Sequence, residues 1–120
     1  LQATLLGSAL LVTDYSSICW DFLFLDRPVL FYQFDRDKFL QHTGSYIDLE
    51  KDLFGPVAVN PEEASAWVRA FIQEGFSAAP FRSRMEEMKA FAFAYRDGKN
   101  CQRLAREILS RQKAFQAGIS

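Results

Sequence analysis

Four hydroxyls and one carboxylate fall in a single stretch of the chain, Thr13-Asp14-Tyr15-Ser16-Ser17. The apolar run Leu10-Leu11-Val12 leads into it, and the apolar run Ile18 to Leu25 follows. The first run reads as a buried strand of a parallel sheet, the second as a packed helix. The stretch then sits at the C-terminal end of a strand and at the start of a helix. Ligands of open α/β sheets bind at such strand ends. Free backbone N–H groups beside two adjacent hydroxyls make a donor cluster for an anion, and a phosphate or diphosphate is the natural guest. Read from the residues alone, a second account stays open, in which Ser16 and Ser17 only cap a core helix.

Other chemistry is weaker. Asp35-Arg36-Asp37 has the outline of a DxD metal motif but lies in a polar stretch and reads as solvated charge. His42 is the only histidine, and nothing in its spacing supplies a substrate proton within reach. Ser16 and Ser17 lack the G-x-S-x-G elbow of a serine hydrolase. Asp21 lies within an apolar run, so it is expected to be paired or to face solvent, with a helix-cap or ribose-binding role open. Cys19 and Cys101 form no CxxC pair, which argues against a zinc site or a disulfide framework and fits a reducing compartment.

Elements must position these residues. Asp14 or Ser16 is expected to cap a helix over 16–25. Asp26-Arg27-Pro28 ends it, since proline disfavours helix at the residue before it. Val29 to Tyr32 is a second buried strand, completing a βαβ unit. Residues 33–56 read as a long polar loop, followed by a short strand at 57–59. Asn60-Pro61-Glu62-Glu63 is a helix start, and Gly75 a helix stop. Trp67, Phe71, Met85 and Met88 are expected in the core. Helices are expected over 81–95, with Phe91 and Phe93 near the buried side, and over 100–117, with Leu104, Ile108 and Phe115 as its apolar positions. The fold class is α/β: short parallel strands, then C-terminal helices.

Composition suits a folded domain: 49% of the 120 residues are hydrophobic, 12 of them Phe. The opening run of apolar residues lacks the basic start of a signal peptide and is too short for a membrane span. It reads as the inside of a helix, so the chain is expected to be a piece of a longer α/β protein, with further strands upstream of Leu1. Net charge is −1, yet nine of the 14 basic residues lie in 81–120 against four of the 15 acidic ones. That surface could be simply solvated, or attracted to anionic lipid or a polyanionic polymer. Without exposed aromatics interleaved among the cations, no nucleic-acid partner is expected.

The block Leu11-Val12-Thr13-Asp14-Tyr15-Ser16-Ser17, then Asp21, then Asp26-Arg27-Pro28-Val29-Leu30-Phe31-Tyr32, closely resembles the CDP-glycerol:poly(glycerophosphate) glycerophosphotransferase family. These are polymerases and primases of teichoic acid and related capsule polymers. The similarity continues through Tyr46, Asp48 and Gly55-Pro56 and returns at Asp97-Gly98 and Arg103. Ala9, Thr43 and Cys101 depart from the family pattern. The resemblance implies a GT-B architecture of two Rossmann-like lobes, with residues 1–120 as the last part of the nucleotide-binding C-terminal lobe. It implies that Thr13, Asp14, Tyr15, Ser16 and Ser17 hold the donor diphosphate, with Asp21, Asp97, Gly98 and Arg103 as further donor-binding candidates. The implied reaction moves glycerol phosphate from CDP-glycerol, or a related CDP-polyol, to a lipid-linked polymer acceptor at the inner face of the membrane. No metal or cofactor is implied, and the family's essential histidines lie upstream, so no catalytic residue is assigned. Two rivals remain: a GT-B transferase using another activated sugar or polyol, and a non-catalytic module with a helix-cap turn and basic docking helices.

Overall fold

The computed structural model describes residues 2–42, 44 and 53–119. Thr43, Tyr46 and Asp48, named above, lie outside the described residues. Three strands, β1 (Leu11–Thr13), β2 (Val29–Tyr32) and β3 (Val57–Ala58), form a parallel sheet in the order β1-β2-β3. Leu11 pairs with Val29 and Thr13 with Phe31, and Phe31 pairs in turn with Val57. Six helices surround or extend this sheet: α1 (Gln2–Leu6), α2 (Cys19–Phe24), α3 (Arg36–His42), α4 (Pro61–Gln73), α5 (Arg82–Ala92) and α6 (Asn100–Ile119).

Side chains of a strand alternate between faces, and β2 uses both. Val29 and Phe31 enter a core with Cys19, Phe22 and Leu23 of α2 and Met85 and Met88 of α5. Phe54 meets Phe31 edge-on there, with ring centroids 5.3 Å apart. Leu30 points the other way and packs with Ala58 and with Phe71 of α4. The molecule is thus layered helix, sheet, helix, as the βαβ reading requires. Each large side chain fully buried here, such as Phe22 or Phe31, contributes roughly 1.5–3 kcal/mol of transfer free energy.

The corner Asp26-Arg27-Pro28 is built from several separate contacts. Asp26 adopts φ 58°, the left-handed conformation that ends α2. Its N–H donates to the Leu23 carbonyl (3.1 Å), and the Arg27 N–H donates to the Phe22 carbonyl (3.0 Å), closing the last turn. The Asp26 carboxylate pairs with the ammonium of Lys89 on α5, a side chain only 5% exposed. Burial alone would lower the Lys89 pKa, but Asp26 and Glu86 outweigh it and hold the ammonium above its ordinary value. The Arg27 guanidinium donates to the carbonyls of Leu5 (2.9 Å), Leu6 (2.7 Å) and Ser8 (2.8 Å), tying down the end of α1. The Pro28 carbonyl accepts from Leu11 N–H (3.2 Å) and opens the β1–β2 ladder.

Helix α4 starts as its sequence demands. Asn60 accepts from the Glu63 N–H (2.9 Å), while the Glu63 carboxylate accepts from the Val59 N–H (2.9 Å). Gly75, at φ 65°, closes it.

The structure differs from the sequence expectations at five places. Helix α2 begins at Cys19 rather than Ser16, because residues 16–18 form a tight turn whose carbonyls accept from Cys19 and Trp20. Neither Asp14 nor Ser16 caps the helix. The polar segment after β2 contains a helix, α3, whose short, mostly exposed sequence lacks a clear apolar stripe. Strand β1 is not covered on both faces: it is the sheet edge, and Val12 is 48% exposed. Phe91, expected near the buried side, is exposed, and Trp67, expected in the core, is only partly covered. Helix α6 is exposed along its described length, and the molecule extends to 67 Å in its long dimension.

Gly55 marks the tightest backbone approach. A Cβ there would overlap the Val29 carbonyl oxygen, and strand β2 leaves it no room to move. Gly55→Ala is expected to cost about 2 kcal/mol or more of stability, read as a lower midpoint in denaturant with an unchanged slope.

Candidate functional site

The candidate anion turn occupies the C-terminal end of β1. Thr13 and Asp14 line a cavity of about 320 Å³ together with Val12, Tyr32 and Phe34. The parallel ladder fixes this geometry: Thr13 is in register with Phe31, so the ends of β1 and β2 open on the same side.

Within the turn, some polar groups are already committed. The Asp14 carboxylate accepts from the Tyr15 N–H (2.6 Å), and the Ser16 hydroxyl accepts from the Ile18 N–H at a long 3.4 Å. Tyr15 points its ring away from the cavity residues and stacks on Phe39 of α3, with centroids 3.9 Å apart and planes 10° apart. Its hydroxyl donates to Asp35 (3.0 Å). The Thr13 and Ser17 hydroxyls and the Ser16 and Ser17 N–H groups have no hydrogen-bond partner among the described residues. Two consecutive free N–H groups beside two hydroxyls form a donor set suited to an anion, although Tyr15, Ser16 and Ser17 do not line the cavity that Thr13 and Asp14 share.

Of the remaining candidates, Asp21 lies exposed in the first turn of α2, as a charge in an apolar helix must. Asp97, Gly98 and Arg103 come together, but as a cluster of their own. Arg103 pairs with the Asp97 carboxylate, donates to Asn100 (3.0 Å) and covers the Tyr95 ring at 3.6 Å. Asp97 also accepts from the Lys99 N–H (3.0 Å), and Gly98 takes φ 73° between them. The Arg103 hydrogen bond, then the Lys99 N–H, hold the Asp97 carboxyl below its ordinary range. This cluster anchors the start of α6, and none of its residues lines the cavity at the turn.

Of the DxD outline, Asp35 is engaged by Tyr15, and no group of three or more His, Cys, Asp or Glu gathers among the described residues. His42 is exposed at the end of α3. Cys19 is buried in the core, and desolvation pushes its thiol up to about 11, so it is inert at neutral pH. Sequence reasoning missed the link from Tyr15 to α3, and it missed Gln33, which lies 2% exposed at the end of β2. The only sequence signal for Gln33 was an amide directly after a buried strand.

The family model for CDP-glycerol:poly(glycerophosphate) glycerophosphotransferase matches residues 1–110. The chain belongs to that family. A teichoic acid glycerol-phosphate transferase of Staphylococcus aureus is 49% identical over 51 residues, covering 42% of this chain and 13% of the relative. A teichoic acid poly(ribitol-phosphate) polymerase of Bacillus spizizenii is 25% identical over 109 residues, covering 91% of this chain and 16% of the relative. Among solved structures, the wall teichoic acid polymerase TagF matches with TM-score 0.71 at 24% identity, over 94% of this chain and 27% of that one. A TagF structure soaked with CDPG matches with TM-score 0.70 at 25% identity. The chain therefore spans a minor part of each relative. The partial Rossmann-like class, parallel strands followed by C-terminal helices, is that of the GT-B-like TagF.

The Tyr15 environment gives a pH prediction. Burial, then the hydrogen bond to Asp35, push its phenol up from 10.0 to about 12. The folded state holds this proton more tightly than the unfolded state, so the associated stability is complete below pH 10 and is lost as pH rises through about 12. In an alkaline absorbance titration, one tyrosine is expected to ionise last, and Tyr15→Phe should remove that late step.

Proposed function

We propose that this chain is the donor-binding part of a glycerophosphotransferase, taking up CDP-glycerol or a related CDP-polyol through the Thr13–Ser17 turn. In this reading residues 1–120 form one domain, the last part of a nucleotide-binding GT-B lobe. The whole enzyme passes glycerol phosphate to a lipid-linked polymer acceptor on the cytoplasmic face of the membrane, in wall or capsule synthesis. The observation that carries the reading is the unpaired donor set of Thr13, Ser16 and Ser17 at a strand end, within a chain of this family. The diphosphate would take the Ser16 and Ser17 N–H groups and the adjacent hydroxyls. Tyr15 shapes the turn through Phe39 and Asp35, and Asp14 stiffens it from within. The CDPG soak of TagF supports the choice of donor. Asp21, Asp97, Gly98 and Arg103 enter this reading as secondary candidates, and the last three also brace α6.

Titrating the 120-residue chain with CDP-glycerol, CDP and pyrophosphate, followed by amide NMR, tests this. Saturable shifts centred on residues 14–17 are expected with all three. Ser16→Ala combined with Ser17→Ala should weaken binding about tenfold or more while leaving the fold intact. Unchanged affinity in that double variant would remove the turn from the site.

A second reading concerns where the protein works. Helix α6 shows Leu104, Ile108 and Phe115 along one face, all more than half exposed, with Arg106 and Lys113 on the opposite side. A basic amphipathic helix of this kind suits an anionic lipid surface. No helix among the described residues is long and apolar enough to cross a membrane. Vesicles containing anionic lipid are expected to retain the chain at low salt and release it at high salt. Equal retention by neutral vesicles would count against this reading.

A further inference from the structure

A buried amide without a partner stands at the end of the central strand. Gln33 is 2% exposed, and neither its side-chain nitrogen nor its side-chain oxygen has a hydrogen-bond partner. Its backbone N–H donates to the Ala58 carbonyl (2.8 Å), which holds the residue in line with the sheet. Buried polar groups are almost always paired, so an amide with both ends unsatisfied calls for an explanation. By alternation Gln33 shares a face with Val29 and Phe31, the face that also carries α2.

Gln33 also lines a cavity of about 510 Å³ with Phe34, Asp35, Arg36, Asp37, Lys38 and Val59. Phe34, which is 62% exposed, lines both this cavity and the one at Thr13 and Asp14, so the two adjoin across a single ring. A ligand whose phosphates rest on the turn can extend into the second cavity.

We propose that this second cavity receives the hydroxyl-bearing polyol end of the donor, and that Gln33 is the residue that discriminates between polyols. The inference rests on the donor-binding reading of the turn. An amide offers one donor and one acceptor side by side, and a vicinal diol offers the complementary acceptor and donor. The carboxylates of Asp35 and Asp37 accept from hydroxyls, and Arg36 and Lys38 beside them donate, so the lining offers both partners that a polyol needs. A nucleobase fits less well, since Phe34 is the one aromatic side chain in the lining. Both ends of the amide lack a partner, and a vicinal diol would give each one. Family relatives carry both glycerol-phosphate and ribitol-phosphate polymers in their names, so a group that distinguishes polyols has a task to perform.

The test compares CDP, CDP-glycerol and CDP-ribitol binding to the 120-residue chain and to its Gln33→Met variant. The unaltered chain should prefer one CDP-polyol over CDP by about tenfold, with the Gln33 side-chain amide resonances shifting for that polyol and not for CDP. Gln33→Met should bind CDP within about twofold of the unaltered chain and lose the polyol preference. Its melting temperature should not fall, because methionine removes an unpaired polar group from the core at similar volume. Should the variant fail to fold, the Gln33 resonances of the unaltered chain decide alone. A polyol preference that survives Gln33→Met, or a Gln33 resonance that ignores the polyol, overturns the proposal. Binding of CDP without any polyol preference overturns it while leaving the donor turn standing. Failure to bind any of the three overturns both.

Discussion

The relative placement of β1 and β2 depends on the corner at Asp26-Arg27-Pro28, and the rest of the molecule follows from that placement. Asp26 accepts a left-handed backbone that favours glycine, and so reverses the chain out of α2 within a single turn. The strain is offset by the side chain, which reaches the buried Lys89 on α5. Removing the carboxylate would leave the Lys89 ammonium with Glu86 as its one counter-charge among the described residues, in a site where bulk water is largely excluded. Arg27 then gathers the carbonyls of Leu5, Leu6 and Ser8 at and just beyond the end of α1. Pro28 supplies the carbonyl that begins the β1–β2 pairing. One corner thus couples α1, α2, α5 and the sheet. The register it imposes brings the ends of β1 and β2 side by side, which is the precondition for cavities at Thr13 and at Gln33.

This corner bears on how family motifs are read. The basic residue of the D-R-P signature could be taken for a phosphate ligand, but its Nη1 donates to the carbonyls of Leu5, Leu6 and Ser8 at the end of α1. The same holds at Asp97-Gly98 and Arg103, where the carboxylate and guanidinium satisfy each other and fix the start of α6. A signature within a family of enzymes records what the fold needs as well as what the chemistry needs. The Thr13–Ser17 turn differs, because part of its donor set is left over after local structure has been satisfied.

Local patterns made the strands, the capped α4 and the site turn legible in the sequence. Strand β2 is a four-residue apolar run closed by a proline before it, and Asn60-Pro61-Glu62-Glu63 spells a helix start residue by residue. Tertiary context hid the rest. The start of α2 moved because the Ser16 hydroxyl competes for the Ile18 N–H, an interaction that the sequence permits but does not dictate. Helix α3 has no apolar stripe to announce it, and is held instead by the stacking of Phe39 on Tyr15, two rings far apart in sequence. Phe91, expected near a buried side, is exposed, because helical spacing reports an apolar face and cannot report whether anything covers it.

The site itself shows the same division. An anion is held by backbone groups whose direction follows from a strand running into a turn, so a short sequence is enough to suggest it. A neutral polyol offers no charge to attract, and only the count and spacing of its hydroxyls distinguish it from a near relative. Recognising it takes side chains set at fixed positions on rigid elements. Gln33 is placed for such a task in the proposed reading, being the residue directly after the central strand, held by the Ala58 carbonyl and buried. The turn can therefore be common to enzymes that handle different donors, while the residues beyond β2 are free to vary with the polyol. In the proposed reading, specificity belongs to the end of the central strand, and phosphate binding to the end of its neighbour.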